Sequence, residues 1–414
     1  MMAIPLTQAI TELEKIATSA PTPLCELLPL TLCLGRTLGE EIFCQKALPA
    51  FSNAAMDGYA IRLKDAEKCV KIKATLFAGD KSDLILQEGE CVKIMTGAKI
   101  PQGTQAVIPY EEIPEGLNAR EFITLPKHLK ENANIRLCGE EIQKGERIFT
   151  QGEELSENHL ALLASQGISY IKVYQLPKIG IFSSGEELKE PWQQSQDYEI
   201  FNSNTTMIQA TLEQFGFKSH YGGVLKDNKK EILAALDTPY DIIFTSGGAS
   251  EGEADFMMTC LKECQAEILV QGIQIKPGKP IKIARLHHKI FIILPGNPLA
   301  LSVLLRFLIL PFLKHLSGTK AHYPVPLWVK NKEAFTLKSR TNAMLGYLDT
   351  QGFKLTQKGK YTSGQISPLF LSNALAIFDE SCATISEDED IKVLPYNALW
   401  SIQKTDYINS HKEK

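Results

Sequence analysis

KIGIFSSGEEL (178–188), YDIIFTSGGASEGEAD (240–255) and KIFIILPGNP (289–298) share one arrangement: a short apolar run rich in Ile and Phe, then a loop of Gly, Pro, Ser and acids. The spacing predicts a helix over 205–215, the strand KSHYGGV at 218–224, and further helices over 229–236 and 255–264. Such alternation gives a doubly wound, mainly parallel sheet with helices on both faces. All three loops then fall on the carboxyl edge, where ligands bind in the crevice at the reversal of strand order. One such loop reads as a tight turn; three on one edge read as a site.

The texture changes on both sides of this segment. Upstream, Ile10, Leu13, Ile16 and Ala17 recur at helical spacing behind Thr7, a candidate N-cap. From 48 to 139, β-rich runs such as VKIKATLF and ECVKIM are separated by Gly, Pro and Asp turns. The helical period returns over 155–165, with Ser156 as cap and Gly167 just past the end, and this helix is expected to pack beside the first. After 323 short strands resume, ending in a frayed tail, NSHKEK. The expected organisation is a discontinuous helical layer (1–47 and 140–174), a β-rich insertion (48–139), the α/β segment (175–320), a second β domain (321–403) and a flexible tail (404–414).

With 414 residues, several times the ~150-residue prior for a domain, and 44% apolar residues, the chain can bury several cores. Lys+Arg total 44 against Asp+Glu 48, a net charge of −4, which excludes the basic footprint of a nucleic-acid coating protein. The nine cysteines form no tight framework, so reduced thiols and a cytoplasmic location are expected; Cys260 and Cys264 lack the second pair that a zinc site needs. The adjacent His287 and His288 read as a solvated turn. The N-terminus lacks the basic start and apolar core of a signal peptide. Pro295, Gly296, Pro298, Arg306 and Pro311 interrupt the most hydrophobic stretch, 290–313, so no membrane role is expected.

Gly247 and Gly248 remove Cβ atoms from one edge loop, which lets backbone N–H groups approach an anion at a helix N-terminus near Glu253. Glu186, Glu187, Asp227, Glu251, Glu253 and Asp255 crowd the same edge. Carboxylates beside an anion loop are unfavourable without a cation, so Mg²⁺ bridging acid and phosphate is expected; a solvated acidic rim is the plainer alternative. Lys276 and Lys279 stand on the proline-stiffened loop IKPGKP (275–280), suited to holding oxyanion charge or else simply solvated. In the insertion, NAAMDGYA (53–60) and MTGAKIP (95–101) each read as turn chemistry when taken alone. No Gly-x-Gly-x-x-Gly, Walker loop or His-Glu-x-x-His is present.

Taken jointly, NAAMDGYA, MTGAKIP, SSGEEL, SGGASEGEAD, IKPGKP and LPGNP resemble, in order and approximate spacing, the molybdopterin molybdenumtransferases, the MoeA and gephyrin E-domain family. The resemblance implies a multi-domain α/β plus β fold: a helical linear domain, a β-rich insertion, an adenylyltransferase-like sheet domain and a C-terminal β-barrel. It implies a homodimer with the cleft between subunits, and insertion of molybdate into the dithiolene of adenylylated molybdopterin with release of AMP, dependent on a divalent cation such as Mg²⁺. By position it assigns catalytic roles to Asp57, Glu187, Asp227, Asp255, Lys276 and Lys279, with Glu187, Asp227 and Asp255 as metal ligands. Thr96, Ser246, Gly247, Gly248, Pro295, Gly296, Asn297 and Pro298 then shape the substrate pocket. The family implies hand-over from a molybdopterin adenylyltransferase and on to molybdoenzyme maturation proteins, with no nucleic-acid or membrane partner.

The sequence departs from the family at Ala54, Glu186 and Glu141, where size or charge is nearly kept. It departs further where the family tends to GRxEFxRG: GYLDTQG (346–352) puts Tyr347 and Gln351 in place of arginines, and Pro368 replaces a common serine. Two other functions share parts of the pattern, an ATP-dependent molybdopterin adenylyltransferase and a gephyrin-like dimeric scaffold binding partner peptides. The flanking β domains argue against the first, and the retained acids and lysines against the second.

Overall fold

The computed structural model describes residues 3–81, 83–185, 187–225, 229–247, 256–397, 399–401, 403–404 and 406–410. The chain divides into two compact units: Met1–Glu40 with Gln151–Ala161 and Ser169–Lys414, and Glu41–Thr150 with Leu162–Ile168.

The larger unit opens with α1 (Leu6–Ser19), whose Leu6, Ala9, Ile10, Leu13 and Ala17 are buried at helical spacing. Pro5 starts this helix in place of the expected cap Thr7: its ring sets φ at −55°, and no side chain caps the N-terminus. The α/β elements follow as β1 (Ile179–Ser184), α2 (Ser203–Gln214), β2 (Ser219–Leu225), α3 (Lys229–Leu236), β3 (Ile242–Ser246), α4 (Phe256–Glu263), β4 (Glu267–Gln271), β5 (Lys282–Leu286), β6 (Lys289–Leu294) and α5 (Pro298–Leu316). The sheet order is β2-β1-β3-β6-β5-β4. The first four strands are parallel, with Ile179 opposite Ile242 and Ile242 opposite Ile290; β5 and β4 are added antiparallel. The sheet is thus mixed at one edge. β6 returns from β5 through the exposed pair His287 and His288, with His287 at φ +54°, so no crossover helix marks that hairpin in the sequence.

β1 lies between β2 and β3, so the chain leaves β1 toward one side and crosses back to the other. Strand order reverses there, and the carboxyl ends of β1 and β3 frame a crevice. Successive strand residues face opposite sides. Ile181, Phe244 and Ile292 enter a core shared with α1 and with Leu308 and Phe312 of α5, while Ile243, Phe291 and Ile293 pack on Met257 and Leu261 of α4. Both faces are covered, which is why these strands read as unbroken apolar runs. By length and composition α5 could cross a membrane, yet 83% of its apolar window is buried inside the protein.

Beyond α5 a second sheet runs Leu327–Lys330, Asp390–Pro395, Ala374–Phe378, Asn342–Asp349 and Gly352–Leu355 in spatial order. Gly346 is required there, because a Cβ would lie 2.3 Å from the buried Phe353 ring. Among the described residues of the expected tail, one short strand forms. Ile408–Asn409 adds in parallel to Ala374–Phe378. Tyr407 OH donates to Phe307 O at 3.1 Å, and Asn409 Nδ2 donates to Ile377 O and Lys392 O, each at 2.9 Å. A side-chain amide does here what strand propensity could not, so composition gave no warning.

The helix Glu157–Ser165 begins as expected after Ser156, whose N–H donates to His159 Nδ1 at 3.2 Å, and ends before Gly167 at φ +74°. The face of α1 packs on α5, a partner that helical periodicity alone does not name.

The smaller unit holds a five-stranded sheet ordered Ala106–Pro109, Gly58–Ile61, Glu90–Ile94, Cys69–Leu76, Phe122–Thr124. Tyr59, Ile61, Val70, Cys91 and Ile123 fill one face of it. A Cβ on Gly58 would lie 2.1 Å from Ile108 O on the neighbouring strand. Gly58→Ala is therefore expected to lower the unfolding free energy by about 1–3 kcal/mol, the usual cost of overpacking. Superimposable urea denaturation curves for variant and wild type would contradict that close approach.

Candidate functional site

The carboxyl edge of the α/β sheet is assembled by close backbone approaches. Gly247, directly after β3, has φ +96°, and a Cβ on it would lie 2.3 Å from Ser184 O at the end of β1. Gly296, after β6, would place its Cβ 3.7 Å from the Gly247 Cα. The three loop starts therefore meet, and only glycine fits at the middle one. Asn204 in the first turn of α2 locks them: its buried amide donates to Ser246 Oγ at 2.8 Å and to Gly296 O at 2.7 Å. Its Oδ1 is buried with no hydrogen-bond partner among the described residues. Asn202 caps the same helix by accepting the Thr205 N–H at 3.3 Å. Sequence reasoning missed Asn204, although the run Asn202, Ser203, Asn204 ahead of a helical period was the available signal.

Gly247 itself departs from expectation. Its N–H donates to Leu294 O at 3.2 Å, and its missing side chain answers to Ser184 O, so this residue is a backbone junction rather than an anion donor. Gly248, Asp227, Asp255 and Glu186 lie outside the described residues. Glu187 is exposed and folds back over the loop, with Oε2 2.8 Å from where a Gly185 Cβ would stand. Among the described residues no group of three His, Cys, Asp or Glu is arranged to hold a metal ion.

A second feature joins the α/β sheet to the C-terminal sheet. Lys276 N–H donates to Thr341 O at 3.0 Å and Ala343 N–H to Lys276 O at 2.9 Å, which stitches the KPGKP loop along the strand beginning at Asn342. Asn297 Nδ2 donates to Ser363 Oγ at 3.0 Å and Leu299 N–H to Ser363 O at 3.2 Å, closing the other wall. Between them lies a cleft of about 550 Å³. Lys276, Lys279, Lys338 and Arg340 line it with Pro295, Asn297, Tyr361 and Ser363, and among the described residues no carboxylate lines it. Such a cleft suits a multiply charged oxyanion. Pro298 stands outside this lining as the first residue of α5, where its fixed φ favours a helix start.

Upstream of GYLDTQG, the segment SRTNAMLG (339–346) brings a different arginine, Arg340, to the cleft. Asn342 Nδ2 donates to Lys338 O at 3.0 Å and Arg340 O at 2.6 Å, which turns this segment against the cleft. Tyr347, Gln351 and Pro368 do not line it.

In the smaller unit, the turns NAAMDGYA and MTGAKIP come together. Asp57 Oδ1 accepts the Thr96 hydroxyl at 2.6 Å and the Thr96 N–H at 2.7 Å. These two bonds, the hydroxyl first, hold the Asp57 carboxyl below its ordinary pKa, so it stays ionised on an exposed surface.

Comparison with known proteins follows the same lines. The MoeA N-terminal region (domain I and II) family matches residues 4–167, and the probable molybdopterin binding domain family matches residues 180–315. The molybdopterin molybdenumtransferase of Haemophilus influenzae is 33% identical over 387 residues, which is 90% of this chain and 94% of that protein. That of Staphylococcus aureus is 27% identical over 390 residues, 90% and 91% of the two chains. Two solved structures of the MoeA protein from Pyrococcus horikoshii cover 95% of this chain and 99% and 100% of theirs, with TM-scores of 0.79 and 0.81 at 26% and 24% identity.

Thr96→Val removes the hydroxyl donor but keeps the N–H, so Asp57 is expected to titrate at higher pH than in wild type. A depressed carboxyl stabilises the fold above the ordinary carboxylate range and loses that contribution as pH falls through its own pKa. The variant should therefore lose it at a higher pH. Carboxyl ¹³C titration by NMR reads the shift directly, and an unmoved Asp57 signal would refute the assignment.

Proposed function

The chain belongs to the molybdopterin molybdenumtransferase family and is a transferase of molybdenum cofactor biosynthesis; on that premise we propose that it inserts molybdate into the dithiolene of adenylylated molybdopterin, releasing AMP. The observation that carries this reading is the cleft of about 550 Å³ on which Lys276, Lys279, Lys338 and Arg340 converge. Molybdate is a dianionic oxyanion, and charge-assisted donors on a backbone-stitched loop hold such a charge with little reorganisation. Asn297 and Ser363 add neutral polar groups at the cleft wall. Asn204 keeps the Ser246–Gly247 and Gly296 turns converged at the sheet edge. Asp57, kept ionised by Thr96, offers a carboxylate acceptor.

Glu187, Asp227 and Asp255 would supply hard oxygen ligands of the kind Mg²⁺ takes. Bound there, the cation would offset negative charge on the phosphoanhydride. Glu187 is poised for such a role, exposed and folded over the loop that leaves β1.

The same reading makes the protein a homodimer. Leu24, Leu27, Leu32, Leu34 and Tyr170, 58–74% exposed, gather on and beside the two-stranded ribbon of Cys25–Pro29 and Tyr170–Tyr174, an apolar surface that a second copy would cover. Its cysteines are free thiols, which suits the reducing cytoplasm. An adenylyltransferase would supply its substrate, and molybdoenzyme maturation proteins would take its product.

Incubating the purified protein with adenylylated molybdopterin, Mg²⁺ and molybdate while following AMP tests the proposal. Release of AMP that needs both molybdate and cation is the expected result. ATP consumption with unmodified molybdopterin would favour the adenylyltransferase, and inactivity in both assays the scaffold. Asp255→Asn is expected to abolish cation-dependent AMP release with an unchanged melting temperature. Lys279→Ala and Arg340→Ala should each raise the molybdate concentration for half-saturation about tenfold or more, the scale of a lost charge-assisted bond of ~1.5–3 kcal/mol. Tyr347→Arg should change it little, because Tyr347 stands outside the cleft.

A further inference from the structure

Beside the crevice, a buried polar cluster has no part in the reading above. Glu190 is only 8% exposed, and its Oε1 accepts from Tyr221 OH and, at 3.3 Å, from Asn202 Nδ2. Asn202 Nδ2 also reaches Ser183 Oγ at 2.8 Å and Tyr221 OH at 3.0 Å. Ser183 Oγ meets Thr205 Oγ1 at 2.7 Å, and Thr205 Oγ1 donates to Asn202 Oδ1 at 3.0 Å. One network therefore ties β1, β2 and the N-terminus of α2 to a single carboxylate. Burial, and then Glu190 itself, push the Tyr221 hydroxyl up to about 12, so it remains a donor throughout the working pH range.

That carboxylate belongs to the strap that leaves β1 at Gly185 and returns to α2 at Asn202. The arms of the strap pair in parallel, Leu188 opposite Ile200 and Lys189 opposite Phe201. Ile200 N–H donates to Glu187 O at 2.9 Å and Asn202 N–H to Lys189 O at 2.8 Å. Its outer part is open to solvent, with Trp192 and Tyr198 75% and 78% exposed. Among the described residues from 185 to 201, Glu190 is the buried one. A carboxylate is a costly group to bury on neutral donors, and a surface strap needs none for its own pairing.

We infer that Glu190, held by Tyr221 and Asn202, is a positioning residue: it pins the strap so that Glu187, three residues upstream, is presented at the carboxyl edge. The inference rests on the reading of Glu187 as a cation ligand. Glu187 is bound through its own carbonyl to the arm that ends at Asn202, so tension at Glu190 and Asn202 reaches it through one strand pair. Outer residues that orient a metal ligand usually contribute 10–100-fold to metal affinity.

The test uses the full-length protein and Mn²⁺ in the presence of AMP, with binding followed by electron paramagnetic resonance. Tyr221→Phe, which removes one donor and opens little space, is expected to weaken Mn²⁺ binding about tenfold. Amide exchange at Ile200 and Asn202 should speed up in the same variant, while half-saturation by molybdate stays within twofold. Glu190→Leu should behave likewise, and Glu190→Gln, which keeps the acceptor oxygen, should restore Mn²⁺ affinity to within threefold of wild type. Wild-type Mn²⁺ affinity in Tyr221→Phe and Glu190→Leu, together with weakened binding in Glu187→Gln, would overturn the inference and leave the cation reading standing. Wild-type affinity in Glu187→Gln would overturn both. Equal losses toward Mn²⁺ and molybdate in Tyr221→Phe would also overturn it, since a general loosening of the fold explains that pattern.

Discussion

Asn204 donates from one buried amide to Ser246 Oγ at the end of β3 and to Gly296 O just beyond β6. Losing the first would leave the buried Ser246 hydroxyl without that donor, at a cost of about 1–3 kcal/mol. The consequence reaches further than the crevice. Gly296 precedes Asn297, which binds Ser363 in the turn before the short helix Ser367–Phe370, and Pro298 starts α5, the helix on which α1 packs. One amide thus sets the register between the sheet edge, the core helix and the wall of the basic cleft.

The cleft shows the complementary constraint. Lys276, Lys279, Lys338 and Arg340 repel one another, and a free loop would splay to separate them. Here the loop is hydrogen-bonded along the strand that starts at Asn342, and Asn342 turns the Lys338–Arg340 segment toward it. Backbone bonding therefore keeps these like-charged side chains on one cleft. The main hydrophobic core reaches the cleft through Ile275, Leu299 and Ala343, so the same packing that covers one face of the α/β sheet also backs the polar site.

Several candidate site residues were marked by short motifs read jointly, and the meeting of two of them, Asp57 and Thr96, spans 39 positions. Asp57 and Thr96 sit in turns whose small residues allow a carboxylate to meet a backbone N–H. Lys276 and Lys279 flank Pro277 and Gly278 on a loop between apolar runs. Arg340 carries no local signal in the sequence, and its place on the cleft is set by the Asn342 side chain, which binds the Lys338 and Arg340 carbonyls. The strand at Ile408–Asn409 was hidden for a different reason, since its pairing depends on the Asn409 amide finding two carbonyls far away in sequence.

The sequence by itself determined the alternation of strand and helix, the placement of three Gly- and Pro-rich loops on one sheet edge, and the family. Each of these follows from periodicity or from short motifs, which are properties of neighbouring residues. Only the tertiary structure decided that the sheet is mixed, that Gly247 serves Ser184 rather than an anion, that Asn204 locks two loops, and that Arg340 completes the basic cleft. These depend on contacts between residues such as Asn204 and Gly296, 92 positions apart, whose meeting is set by packing of the whole sheet and not by any local preference.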